Sequence, residues 1–393
     1  MRFLVASGGH KHLLSASQAC AYVAEGIRQA LPEAEVRTLP MADGGEGTID
    51  ALVQAAGGSV ASETVYDPLC RPRQARLGLL ADGNTAVIEL AEAAGSALLA
   101  CQERQTMVAT SHGVGELIAG AVRRGRRRVV VGLGGCIASD MGMGMAQALG
   151  VVFLDAAGNP LTPFPGPAFN AMSLLDVCAV RPEAALNLLR GLDIEVASDV
   201  DIPLLGANGQ ARTFGPQKGA SQLEIAWLER GFANLAHILL ETSGRDVNVP
   251  LAGAGGGLGA GLLGFFGARL SLGARLVADM AGLAQAVDAA DLVVVGEGCL
   301  DATTLMCKTP WHVACLAAER GKPVLAVVGA VHPAFASELF PTVAGCFAFG
   351  RDAQGLGAPE AARALTVTAE RAVRNMTRTK AAPVGAVPKE RAS

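Results

Sequence analysis

An apolar run at 292–295, Leu-Val-Val-Val, stops at Gly296-Glu297-Gly298, and the next ten residues bring Asp301, Thr303, Thr304 and Lys308. A short uncharged run rich in β-branched residues predicts a strand buried on both faces, the kind found inside parallel sheets. Ligands of open α/β sheets collect at the carboxyl ends of such strands. A carboxylate, two hydroxyls and an ammonium at that edge suit a phosphate and its metal ion better than they suit a core.

The same alternation of apolar run and glycine turn recurs along the chain. Residues 2–7 read as a first strand and 15–30 as a helix with Ser15 near its N-cap. A second strand over 35–42 leads into Asp43-Gly44-Gly45-Glu46-Gly47-Thr48, after which a helix opens. Far downstream, 291–295, 323–328 and 346–349 predict three more strands, separated by helices at 309–320 and about 333–340. Two strands from one end and three from the other make a five-stranded parallel sheet. The expected fold class is therefore α/β: a Rossmann/flavodoxin-like domain built from residues 1–66 and 284–375, with a second α/β domain, 67–283, inserted. Termini that lie close together tolerate such insertions. Inside the insert, 73–80 and 85–90 flank a plausible hairpin turn at 81–84. Residues 376–393, dominated by Ala, Pro, Lys and Arg, read as a disordered tail.

A chain of 393 residues suits two domains with ample core. No apolar stretch approaches the ~20 residues that span a bilayer. The apolar start at 1–6 breaks at Gly8-Gly9, far short of a signal peptide. A cytoplasmic protein with no membrane partner is expected. A net charge of −4 argues against a nucleic-acid partner. The basic run Arg123-Arg124 and Arg126-Arg127-Arg128 closes a predicted helix, where cations complement the dipole. Nine cysteines without CxxC spacing argue against a zinc site or a disulfide framework.

Forty-nine glycines cluster after apolar runs, where tight turns leave backbone open to a ligand. The turn at 43–48 sets Asp43 and Glu46 at a strand end. Gly134, Gly135 and Asp140 lie in a loop that follows a strand and enters a helix, where free amides attract anions. No Lys-Ser or Lys-Thr closes that loop, so it is not a Walker A motif. Asp199 and Asp201 stand two apart after 195–197; in extended chain both would face one way, as a shared magnesium site requires. Lys218 sits in a turn just before a long helix over 220–242. Gly255, Gly257 and Ala260 formally match GxGxxG/A, but 247–250 is a poor strand. A dehydrogenase would rest on that match alone, and close helix packing or phosphate contact accounts for Gly255, Gly256 and Gly257 better.

Taken in order, Met-Ala-Asp-Gly-Gly-Glu-Gly-Thr (41–48), Thr-Ser-His-Gly-Val-Gly-Glu-Leu-Ile (110–118), Gly-Gly-Cys-Ile-Ala-Ser-Asp-Met-Gly (134–142), Phe-Gly-Pro-Gln-Lys-Gly-Ala (214–220), Gly-Gly-Gly-Leu-Gly-Ala-Gly-Leu (255–262) and Gly-Glu-Gly-Cys-Leu-Asp (296–301) resemble the bacterial-type (type 1) glycerate kinases. The likeness is collinear from about residue 3 to 375. It implies a Rossmann-like domain from both chain ends, a central α/β domain, ATP and Mg²⁺ as cofactors, and a small-molecule substrate, glycerate, phosphorylated at C2. Several motif positions depart from the family pattern. Gly8-Gly9-His10-Lys11 stands where Asp-Ser-Phe-Lys is expected, Cys136 and Ser139 replace Ser and Asn, and Cys299 replaces an arginine. Losing such a bidentate clamp costs about 1.5–3 kcal/mol of binding.

On this reading the loops holding Gly134, Gly135 and Asp140, and Gly255 to Gly257, supply amides to the nucleotide, with Glu297 beside them. Lys218 and Lys308 offer cations to the phosphoryl group, and Asp199 or Asp301 accepts the substrate proton. Asp199 and Asp201 hold the metal. Lys11, Asp43 and Glu46 engage the hydroxy acid. Two alternatives are a kinase for another small hydroxy acid and a catalytically silent metabolite binder. Either a monomer or a homodimer is compatible.

Overall fold

The computed structural model describes residues 1–10, 13–301, 304–305, 308–333, 335, 340, 343–349 and 357–380. They fall into two compact units, one drawn from 1–40, 283–305 and the described residues from 309 onward, the other from 41–282 with Lys308.

The first unit carries a five-stranded sheet in the order Val343–Ala348, Val324–Val328, Leu292–Gly296, Arg2–Ser7, Glu35–Thr38. Every neighbouring pair is parallel. Leu292–Gly296 is buried throughout, as its unbroken apolar sequence requires. The helix Ala16–Ala30 starts at Ser15 with a capping box: the Ser15 hydroxyl accepts from the Gln18 amide, and the Gln18 side chain accepts from the Ser15 amide. Gly26 presses this helix against Ala358–Lys380; a Cβ there would stand 2.2 Å from the Thr366 carbonyl oxygen. The helix expected over about 333–340 falls largely outside the described residues.

The second unit is a six-stranded mixed sheet ordered Arg269–Leu272, Asp193–Ser198, Arg128–Gly132, Thr85–Glu89, Pro72–Leu80, Gly58–Tyr66. The first four strands are parallel, and the last two join antiparallel, through the hairpin at 81–84. Here the structure moves a boundary. The first junction was expected at 66/67, whereas the units divide at 40/41. Gly58–Tyr66 pairs with Pro72–Leu80 over its whole length, and Glu35–Thr38 ends four residues before the expected strand end. The last helix runs on to Lys380, past the expected start of the tail at 376; 381–393 lie outside the described residues.

Among the described residues, no helix is long and apolar enough to cross a membrane.

Candidate active site

Four parallel strands of the second unit point their carboxyl ends at one edge, and the glycine turn at 43–47 lies across it. Gly44 is seated so closely that a Cβ, at φ +94°, would stand 2.3 Å from the Ala197 carbonyl oxygen. The Gly44 carbonyl accepts from the Gly134 amide at 3.1 Å, while Leu133 donates to Ala197 at 3.2 Å. The turn is held from below by Glu89, whose Oε1 accepts from the Gly47 and Ile49 amides at 3.0 and 2.7 Å. Burial raises the Glu89 carboxyl to about 7, against the opposing bond from Ile49. Gly134 brings Gly45 and Asp199 together: a Cβ on it would lie 2.5 Å from Gly45 Cα and 3.3 Å from Asp199 Oδ2.

Beside this turn opens a cleft of about 520 Å³, lined by Gly135, Cys136, Asp199, Gln210, Lys218 and Gly255 among others. Lys218 arrives on the short turn Pro216–Lys218, ahead of the capped helix Gln222–Ser243. Its Nζ donates to the Ala138 carbonyl at 2.7 Å and to Ser139 Oγ at 3.3 Å. Burial lowers its pKa, and the nearby acidic groups, Asp140 and Asp199 included, work against that. Burial pushes the Cys136 thiol up to about 11, so it is a neutral wall of the cleft and no nucleophile.

Several expected site residues are placed elsewhere. Asp140 is 1% exposed and fully engaged: it accepts from the Ser111 amide and hydroxyl at 2.9 and 2.8 Å, and from Gly142 and Gly144 at 3.1 and 3.2 Å. Buried behind these four bonds, it ties the 134–144 loop to the Ser111 turn and does not line the cleft. Asp201 is exposed and does not line the cleft, because the strand ends at Ser198 and the alternation that would aim it beside Asp199 stops there. Gly255, Gly256 and Gly257 take successive left-handed φ values of 63, 72 and 83°. Gly256 packs under Ala138, where a Cβ would come within 1.9 Å of the carbonyl oxygen, and its own carbonyl accepts from Met141. Of the three, Gly255 alone faces the cleft. Asp43 accepts from Gly45 at 3.3 Å, and Glu46 is exposed; neither lines the cleft.

In the first unit, Glu297 and Asp301 follow the carboxyl end of Leu292–Gly296 and meet at Thr304. Its hydroxyl donates to Glu297 Oε1 at 2.6 Å and accepts from the Asp301 amide at 3.0 Å. The Thr304 amide donates to Asp301 Oδ1 at 3.2 Å. Lys308, which belongs to the second unit, is half-buried. Lys11, Thr303 and Cys307 lie outside the described residues.

The cleft also holds residues that sequence reasoning passed over: Ser96, Arg104, Gln210 and Gln217. Ser96 and Arg104 precede the family-like segment at 110–118, and no glycine cluster marks Gln210. Gln217 adjoins Lys218 in the segment 214–220, where its uncharged side chain carries no signal of its own.

A cleft offering a carboxylate, a half-buried lysine and exposed glycine backbone at the carboxyl edge of a parallel sheet is suited to phosphoryl chemistry. Comparison with known proteins agrees. The model of the glycerate kinase family matches residues 3–379. The chain is 38% identical to glycerate 2-kinase of Escherichia coli (strain K12), over 84% of this chain and 86% of that one. It is also 38% identical to glycerate kinase of Bacillus subtilis (strain 168), covering 84% and 85%. A crystal structure provisionally assigned as glycerate kinase 2 of Salmonella typhimurium LT2 superimposes with a TM-score of 0.84 at 32% identity, covering 97% of this chain and 100% of that one. The match runs through both units and every glycine loop described above, so the chain belongs to the glycerate kinase family and is a phosphoryl-transferring enzyme of it.

Proposed function

We propose that the protein phosphorylates glycerate at its C2 hydroxyl, taking the phosphoryl group from ATP with Mg²⁺, in the cytoplasm and in the service of organic-acid breakdown. The observation that supports this most directly is the convergence of Asp199, Lys218 and the backbone of Gly135 and Gly255 on one cleft of about 520 Å³. Phosphoryl transfer needs little covalent help; it needs a positioned hydroxyl, neutralised phosphates and donors for the equatorial oxygens. Asp199, or alternatively Asp301, is our candidate to take the hydroxyl proton. Lys218, held by Ala138 and Ser139, presents its ammonium to the transferred group. The remaining charged candidates keep the roles that the family resemblance implies: Glu297, Asp301 and Lys308 toward the phosphates, and Lys11, Asp43 and Glu46 toward the hydroxy acid.

The donor set fits magnesium sparingly. Mg²⁺ commonly takes one or two protein carboxylates and completes its shell with phosphate oxygens and water. Asp199 can serve as such a ligand; Asp201, exposed and outside the cleft, does not join it. When bound, the ion would neutralise phosphate charge.

Incubation with ATP, Mg²⁺ and glycerate followed by ³¹P NMR tests the proposal. A resonance of 2-phosphoglycerate is the expected product. A 3-phosphoglycerate signal would refute the position, and no phosphoglycerate at all would refute the activity.

A further inference from the structure

Gln210 is completely buried, yet it lines the cleft. Its Oε1 has no hydrogen-bond partner among the described residues. Leaving a buried acceptor unpaired costs about 1–3 kcal/mol, so its retention calls for a reason.

The surrounding hydroxyls fix which way the amide faces. Thr106 Oγ1 lies 2.9 Å from the Ile137 carbonyl and 2.8 Å from Ser139 Oγ. A carbonyl can only accept, so the Thr106 proton goes to Ile137, and Ser139 gives its proton to Thr106. Ser139 Oγ is then an acceptor toward its other neighbours. It takes Lys218 Nζ at 3.3 Å and Gln210 Nε2 at 3.4 Å. The amide nitrogen therefore faces Ser139, and the oxygen is the end left over. Backbone geometry holds it there: Gly209 turns too tightly for a side chain, with a would-be Cβ 2.5 Å from the Leu205 carbonyl carbon. The Gln210 amide donates to Leu204 at 3.0 Å.

We propose that Gln210 Oε1 accepts the hydrogen bond of the substrate's non-reacting hydroxyl, the C3 hydroxyl of glycerate. This makes Gln210 a specificity-determining residue for hydroxy acids that carry a second hydroxyl. The assignment rests on the function proposed above. Its logic is independent of turnover: Gln210 and Lys218 hang from one Ser139 hydroxyl, so a ligand hydroxyl on the amide lies next to the ammonium. A site built to pair a substrate hydroxyl discriminates strongly against the analogue that lacks it, because the site's own polar atom is then stranded.

Calorimetric titration of glycerate and of lactate, which lacks only the C3 hydroxyl, decides the matter in the presence of Mg²⁺ and a non-hydrolysable ATP analogue. The wild-type chain should bind glycerate at least about tenfold more tightly than lactate. Gln210→Met should remove that preference by weakening glycerate while leaving lactate nearly unchanged. Equal affinities in the wild type overturn the inference without any variant, as does a preference that survives Gln210→Met. Binding of glycerate with this selectivity but no phosphoglycerate in the NMR assay would overturn the proposed activity and uphold the role of Gln210.

Discussion

The Glu89 carboxylate accepts a hydrogen bond from the amide of Ile49 at 2.7 Å, and the same oxygen takes the amide of Gly47. Because one oxygen does all this work, Glu89→Gln can keep both bonds and lose only the ionisable group. Burial lifts the folded-state carboxyl from about 4.5 to about 7. Between those values the folded protein binds the extra proton, so stability should fall as pH rises from about 4.5 to about 7 and be flat outside that window. The contribution is about 3 kcal/mol at most. Urea denaturation across this range should show the decline in the wild type and not in Glu89→Gln; an identical slope in both would assign the effect to another group.

Lys218 spends two donors on Ala138 and Ser139 and sits against the cleft. Lys218→Met should lower kcat by at least about 100-fold through loss of transition-state charge stabilisation. Its melting temperature should change little. Lys218→Arg should not restore the rate, since a planar guanidinium cannot make the same pair of bonds from the same place. Steady-state assays with ATP varied would reveal a merely structural lysine as a variant that unfolds early and keeps its kcat.

The role proposed for Asp199 is chemical, whereas Asp140 is part of the scaffold. Asp199→Asn should cost at least about 100-fold in kcat with the fold intact, the lower end for a lost general base. Asp140→Ala strands the Ser111, Gly142 and Gly144 donors and should destabilise by about 3 kcal/mol or more. Thermal melts alongside kinetics check both. Exchanged outcomes, a stable Asp140→Ala and an unfolded Asp199→Asn, would mean the two roles have been transposed.

Two glycines with similar backbone angles should respond differently to alanine. At Gly256 a Cβ meets the Ala138 carbonyl oxygen at 1.9 Å, at φ +72°. At Gly219 the φ is +82°, and nothing lies within 4 Å. Gly219→Ala should cost only the left-handed backbone penalty, about 1–2 kcal/mol. Gly256→Ala should cost more than that, because the loop under it must move as well. Denaturation midpoints of the two variants make the comparison; equal losses would show that the loop gives way freely.

Much of this protein could be read from local sequence, where the deciding forces are local. The apolar runs at 292–295 and 323–328 specify strands because they leave no face for water. Ser15 and Gln18 specify a helix start because each satisfies the other's amide. That these strands share one sheet followed from counting them. Lys218, Asp199, Gly135 and Gly255 were legible too, as chemical residue types in turns after strands or beside glycine runs.

Other features belong to the tertiary structure alone. Nothing in 58–66 announces that it pairs with 72–80, and that pairing moves the unit boundary. Asp140 looks like a ligand in sequence and becomes a strut, because Ser111 reaches it from 29 residues upstream. Gln210 carries no periodic or glycine signal, and its unpaired oxygen exists only because Thr106, Ser139 and Lys218 have used the neighbouring donors and acceptors. Composition and spacing determine which segments must be buried or must turn. Which polar atom is left without a partner depends on how distant segments pack, and only the folded chain decides that.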